Sequence, residues 1–143
     1  MNRKGILGCA AALALATLGG NAFAAAGGFS ANGVIGTTYS SNLWNTTNLS
    51  TLSTAPADGK INSISWNYTI GSIPANATFT AYLCQDNTSS CINVTSLRSG
   101  STPAFNGRSA NGRFFIYHQI YRSTSFAPVS GGSAQVIVNW DNN

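Results

Sequence analysis

Cys84 and Cys91 constrain this chain more than any other pair of residues, because the segments flanking them alternate in step. Pairing the two cysteines across an antiparallel ribbon sets Leu83 opposite Ile92, Tyr82 opposite Asn93 and Ala81 opposite Val94. Phe79, Ala81 and Leu83 then share one face with Ile92 and Val94, and both sulfurs lie on the other. A directly opposed, non-hydrogen-bonded pair has the short Cα approach that a disulfide tolerates. Bridge and apolar pattern demand the same register. Closing so short a loop stabilises the fold by about 2–3 kcal/mol in the chain-entropy model.

A disulfide implies an oxidising compartment, and the start of the chain supplies the route to one. Arg3 and Lys4 precede an uncharged apolar stretch from Ile6 to Leu18, followed by the small-x-small sequence Ala22-Phe23-Ala24. This is the pattern of a secretory signal cut between Ala24 and Ala25. The apolar stretch is too short and too rich in Ala and Gly to span a bilayer, which takes roughly 20 apolar residues. Residues 1–24 therefore read as a cleavable signal and 25–143 as one domain. Cleavage removes Cys9, leaving Cys84 and Cys91 as an even pair.

The mature segment reads as all-β. Turn signals recur at Asn32-Gly33, Asp58-Gly59, Asn106-Gly107, Asn111-Gly112 and Gly131-Gly132. Between them lie short runs of period-two alternation and no convincing helical period. Ile64, Trp66, Tyr68 and Ile70 alternate with Ser65, Asn67 and Thr69, and Val136, Val138 and Trp140 repeat the pattern. Phe114 to Tyr121 is apolar on both faces, as suits a strand covered on both sides or lying at an interface. Asn42 to Ala57, rich in Ser, Thr and Asn, reads as a long, partly ordered connection around Trp44. Strand signals at this spacing predict an antiparallel β-sandwich or partly open barrel of seven to eight strands, one hairpin of it disulfide-linked.

Charge excludes several functions. Only 7% of the chain is charged, against about 25% in average proteins. After cleavage five basic residues (Lys60, Arg98, Arg108, Arg113, Arg122) face three aspartates (Asp58, Asp86, Asp141), a net +2. With no basic cluster to follow a phosphate backbone, nucleic acid is not an expected partner. One histidine and a bridged cysteine pair do not make a zinc site, and no cofactor is expected. With no Glu and three scattered Asp, paired-carboxylate chemistry has no local support. A serine hydrolase could be built only on His118, which sits on the Phe114/Ile116/Ile120 face of an apolar strand. That placement suits a buried or edge histidine with one satisfied nitrogen better than a catalytic base. Arg113 and Arg122 bracket the aromatic strand and, with Tyr117, are candidate partner-docking residues. Aromatics at alternating strand positions are more often core than groove lining.

Several segments, in order, resemble the flagellar protein FlhE family. They are the Gly-rich opening Ala26-Gly27-Gly28-Phe29, the strand Ile64-Ser65-Trp66-Asn67-Tyr68, the hairpin from Leu83-Cys84 to Cys91, and the turn Phe105-Asn106-Gly107. Phe115-Ile116-Tyr117, the connection through Pro128, and the closing Val136-Ile137-Val138-Asn139-Trp140 complete the series. The loop between the cysteines is longer than the family pattern, and Ser, Thr and Asn replace many of its charged positions. The resemblance implies a non-enzymatic accessory of flagellar assembly in the periplasm of a Gram-negative bacterium, with no stable membrane span after cleavage. It further implies protein partners among the export-gate or rod components. The accessory would act in a chaperone-like way or limit proton leakage through the gate, docking through an exposed sheet edge or the strand Phe114–Tyr121. The rival expectation from composition is a structural or adhesive pilin-like subunit completed by a donated strand.

Overall fold

The computed structural model describes residues 24–142. The signal segment up to Phe23, with Cys9, lies outside the described residues, as does Asn143; Ala24 and Ala25, the two sides of the expected cleavage point, are exposed. Eight strands follow in order: β1 Ala26–Ile35, β2 Trp44–Leu49, β3 Lys60–Tyr68, β4 Thr78–Gln85, β5 Cys91–Asn93, β6 Ser99–Thr102, β7 Phe114–Tyr121 and β8 Gly132–Asp141. They form two four-stranded sheets, β1-β8-β3-β6 and β2-β7-β4-β5, and every pairing is antiparallel. No helix among the described residues is long and apolar enough to cross a membrane.

Alternation explains how the sheets face each other. Ile61, Ile64, Trp66 and Tyr68 of β3, and Ala134, Val136 and Val138 of β8, turn inward and are buried. A bulge between Ile61 and Ser63 keeps both apolar ends of β3 on the core face. Ala81 and Leu83 of β4, with Phe114, Ile116 and Ile120 of β7, close the core from the opposite sheet. At one end Phe105 plugs the gap, edge-on to Phe114 at 5.8 Å between ring centres. The Tyr68 hydroxyl donates to the Val94 carbonyl at 2.8 Å and ties the two sheets together along one side. Along the other side Asn32 of β1 and Ser50, just past β2, exchange both backbone hydrogen bonds at 2.8 and 2.9 Å.

The cysteine ribbon has the register expected of it. Cys84 pairs with Cys91, Leu83 with Ile92 and Tyr82 with Asn93, and the disulfide spans a Cα–Cα distance of 4.0 Å. Gln85 donates to Ser90 and Val94 to Ala81, each at 2.9 Å, so the bridged pair is the non-hydrogen-bonded one between them. Only β4 to β5 connects neighbours within one sheet; every other connection crosses to the opposite sheet.

Three readings of the sequence need correction. Asn32-Gly33 is no turn: β1 runs straight through it. A side chain at Gly33 would collide with the Asn48 carbonyl and with Leu49, so its absence lets β2 close the corner. Gly131-Gly132 is likewise the entry to β8 rather than a hairpin turn, and an added carbon on Gly131 would run into the Ile35 carbonyl. Asn42–Ala57 is not all connection, because Trp44–Leu49 forms β2, an edge strand paired with β7 along its whole length. By contrast Asp58-Gly59, Asn106-Gly107 and Asn111-Gly112 do lie at turns.

Candidate functional site

His118 sits on the inner face of β7, 1% exposed, opposite Ala81 and with the Phe79 ring centre 6.3 Å away. Neither ring nitrogen has a hydrogen-bond partner, where one satisfied nitrogen was expected. Burial pushes the imidazole below its ordinary pKa, so it is neutral at pH 7. A hydrolytic histidine must hydrogen-bond both a nucleophile and an orienting acid, and His118 bonds neither. Asp86 instead accepts from the Arg113 backbone N–H, and Asp141 from the Asn62 amide, each at 2.8 Å. Among the described residues no group of three or more His, Cys, Asp or Glu could hold a metal ion.

The three candidate docking residues do not converge. Arg113 precedes β7, where backbone bonds with Asp86 fasten the β4–β5 loop to the strand. Tyr117 lies mid-strand on the outer face of its sheet, beside Tyr82 of β4. Arg122 follows the strand, bonded through its backbone to the Ser41 hydroxyl at 2.7 Å. The eight residues of β7 separate the two arginines, which lie nine extended steps or roughly 30 Å apart.

Two surfaces do have a local architecture. The first is the free edge of β1. Asn32 spends its backbone N–H and C=O on Ser50, so Gly28 and Ser30, of the same parity, direct theirs outward along that edge. Beyond Ser50 the chain peels away from β1. The gap is a cleft of about 270 Å³ lined by Phe29, Ala31, Leu49, Phe114, Thr51 and Arg113.

The second is the outer face of the β2-β7-β4-β5 sheet. Trp44 of β2 lies flat on Tyr117 of β7, ring centres 4.4 Å apart and planes within 10°, with Tyr82 of β4 at 6.0 Å. Parallel stacking fixes the indole plane and leaves Trp44 41% exposed. Thr88 and Ser89, from the loop closed by the disulfide, stand beside these rings and wall a shallow cleft of about 280 Å³. Reading Trp44 as part of a connection hid this cluster from the sequence. The available signal was weak: of the three inward positions in Trp-Asn-Thr-Thr-Asn-Leu, Asn45 is half-buried and only Thr47 and Leu49 are buried, so polar residues hold two of the three.

The fold has known counterparts. The family model described as flagellar protein FlhE matches residues 35–141. No curated protein matches the chain. Among solved structures, the crystal structure of FlhE superposes with a TM-score of 0.68 at 22% identity, covering 80% of this chain and 96% of that one. That likeness is one of fold, and it fits the two-sheet sandwich described above. With the family model spanning more than half its length, the chain belongs to the FlhE family of flagellar proteins.

Proposed function

We propose that this protein is an exported, non-catalytic accessory of flagellar assembly that holds a protein partner along the free edge of β1. The observation that carries the reading is the edge itself: outward backbone groups at Gly28 and Ser30 beside an apolar cleft floored by Leu49 and Phe114. An extended segment can add there as a further strand, gaining main-chain hydrogen bonds while one of its alternate side chains fills the cleft. Arg113 at the cleft rim favours an acidic residue in the same segment. The disulfide and the export signal support a periplasmic location. Components of the export gate or rod are the partners that family membership suggests. A chaperone-like role and a role in limiting proton leakage through the gate are both served by such a grip.

A photo-crosslinking side chain at Ser30, on the edge, tests the reading against the same side chain at Asn139, on the exposed face of β8. The expected result is a crosslink to a gate or rod component from position 30 and none from 139. A deletion strain with normal flagella and unchanged cytoplasmic pH would refute the flagellar role. Equal crosslinking from both positions would refute the edge.

The pilin-like alternative gains no support from the fold. Each sheet takes four strands from the chain itself, and the inward residues of β3 and β8 are covered without a donated strand.

A further inference from the structure

We infer that the outer face of the β2-β7-β4-β5 sheet binds an extended, uncharged glycan, stacking its pyranose rings on Trp44 and its neighbouring tyrosines. This rests on the chemistry of that face and not on the docking edge proposed for β1. The register places three cross-strand rows on the outward side, Asn48-Phe115-Cys84-Cys91, Thr46-Tyr117-Tyr82-Asn93 and Trp44-Gln119-Thr80; Phe115 and Cys84 of the first are buried, so the second and third rows form the accessible platform. Tyr121, more than half exposed, continues the outward side of β7 beyond them. None of these residues carries a formal charge at neutral pH, and none is aliphatic.

That combination discriminates between occupants. The centre of a protein–protein interface is built from aromatic residues together with Met and Arg, and is largely apolar. Here aromatic rings alternate with hydroxyls and amides from row to row, with no Leu, Ile, Val, Met or Arg among them. A pyranose has the matching surface: flat C–H faces that lie on an aromatic ring, and an equator of hydroxyls that take hydrogen bonds from Thr, Gln and Asn. The cleft around Trp44 has no charged residue in its lining, and the charged pair on this face, Asp86 and Arg113, belongs to the neighbouring cleft beside Asn48 and Phe115. A flat sheet face suits a ribbon-like β-1,4-linked chain.

The rings are also held ready. Trp44 cannot turn away without leaving Tyr117, and the Thr88–Ser89 wall belongs to the loop that the Cys84–Cys91 bridge closes. Preorganised rings lose little freedom when a ligand stacks on them. The disulfide thereby acquires a second role, as the fastening of the binding wall.

The test is a calorimetric titration of the mature protein with chitohexaose and with cellohexaose. Trp44→Ala, Tyr121→Ala and, on the other sheet, Trp140→Phe are compared, each checked for native near-UV circular dichroism. Saturable binding of at least one hexasaccharide is expected, weakened about tenfold or more by Trp44→Ala, severalfold by Tyr121→Ala, and unchanged by Trp140→Phe. If Trp44→Ala fails to fold, Tyr121→Ala and chemical-shift perturbation at Tyr117 and Thr88 carry the same decision. No saturable binding of either sugar, equal affinity in the outer-face variants, or binding of a proline-rich peptide to this face in place of both sugars would overturn the inference.

Discussion

Replacing both cysteines by alanine isolates what the disulfide contributes. The bridge closes a loop with a sequence separation of 7. In the chain-entropy model a ring of this size removes about 8 cal/mol/K from the unfolded ensemble, or about 2.5 kcal/mol at 25 °C. The native state needs no rearrangement, since Gln85–Ser90 and Val94–Ala81 backbone bonds hold the ribbon on either side of the bridge. For a domain of this length that loss lowers Tm by roughly 10 °C. Urea unfolding of the mature wild type and of Cys84→Ala/Cys91→Ala, followed by near-UV circular dichroism, measures it directly. The midpoint falls, and the m-value rises slightly because the unlinked chain exposes more surface. A stability change below about 0.5 kcal/mol would refute the reasoning, because it would mean that the unfolded chain already keeps residues 84–91 folded back.

Three further perturbations follow from named contacts. Gly131→Ala drives a carbon into the Ile35 carbonyl and should cost more than about 3 kcal/mol or prevent folding, whereas Gly36→Ala, with nothing within 4 Å, should stay near wild type; thermal melts of the pair decide it. Tyr68→Phe removes the buried bond to the Val94 carbonyl and should cost about 1–3 kcal/mol in urea unfolding. His118 has a folded pKa below the unfolded value of about 6.5. The unfolded chain therefore takes up the proton first, so stability is full above that pH and falls as pH drops from it toward the folded pKa. His118→Leu should remove that part of the acid sensitivity, and unfolding midpoints measured from pH 8 to pH 5 would show a parallel decline in both proteins if the argument is wrong.

The parts of the fold that were legible in the sequence are those where one physical signal repeats. Ile64, Trp66 and Tyr68 announce β3 because every second residue is large and apolar, and the structure buries all three. The cysteine ribbon was legible down to its register because two independent constraints coincide there. Glycine pairs were misread for a general reason: the same residue serves a turn, where it supplies backbone freedom, and a crowded strand, where it supplies missing volume. Nothing in Asn32-Gly33 or Gly131-Gly132 distinguishes the two uses, since the neighbour that needs the space comes from a distant segment. Arg113 and Arg122 flank one strand, and the extension of that strand is what separates them. Trp44 was hidden because an outward aromatic on a polar edge strand leaves no alternation to detect.

β2 turns out to connect the two surfaces proposed to bind. Its first residue, Trp44, carries the aromatic platform; its last, Leu49, floors the cleft beside the β1 edge. Six residues from Trp44 to Ser50 separate the centres by roughly 20 Å along the strand, and the two surfaces face different directions: one off the flat of a sheet, one off its edge. Occupancy of one therefore leaves the other open. The strand is fastened differently at its two ends. Toward Ser50 it is clasped on both sides, by β7 and by the Asn32 backbone, whereas at Trp44 only β7 and the ring stack hold it. A ligand that orders Trp44 would stabilise the less constrained end of β2, and hydrogen exchange would register this as slower exchange at Asn45, whose N–H faces β7, with no change at Ser50. Equal slowing at both ends would mean that the strand responds as one rigid unit, and that the platform and the cleft are coupled.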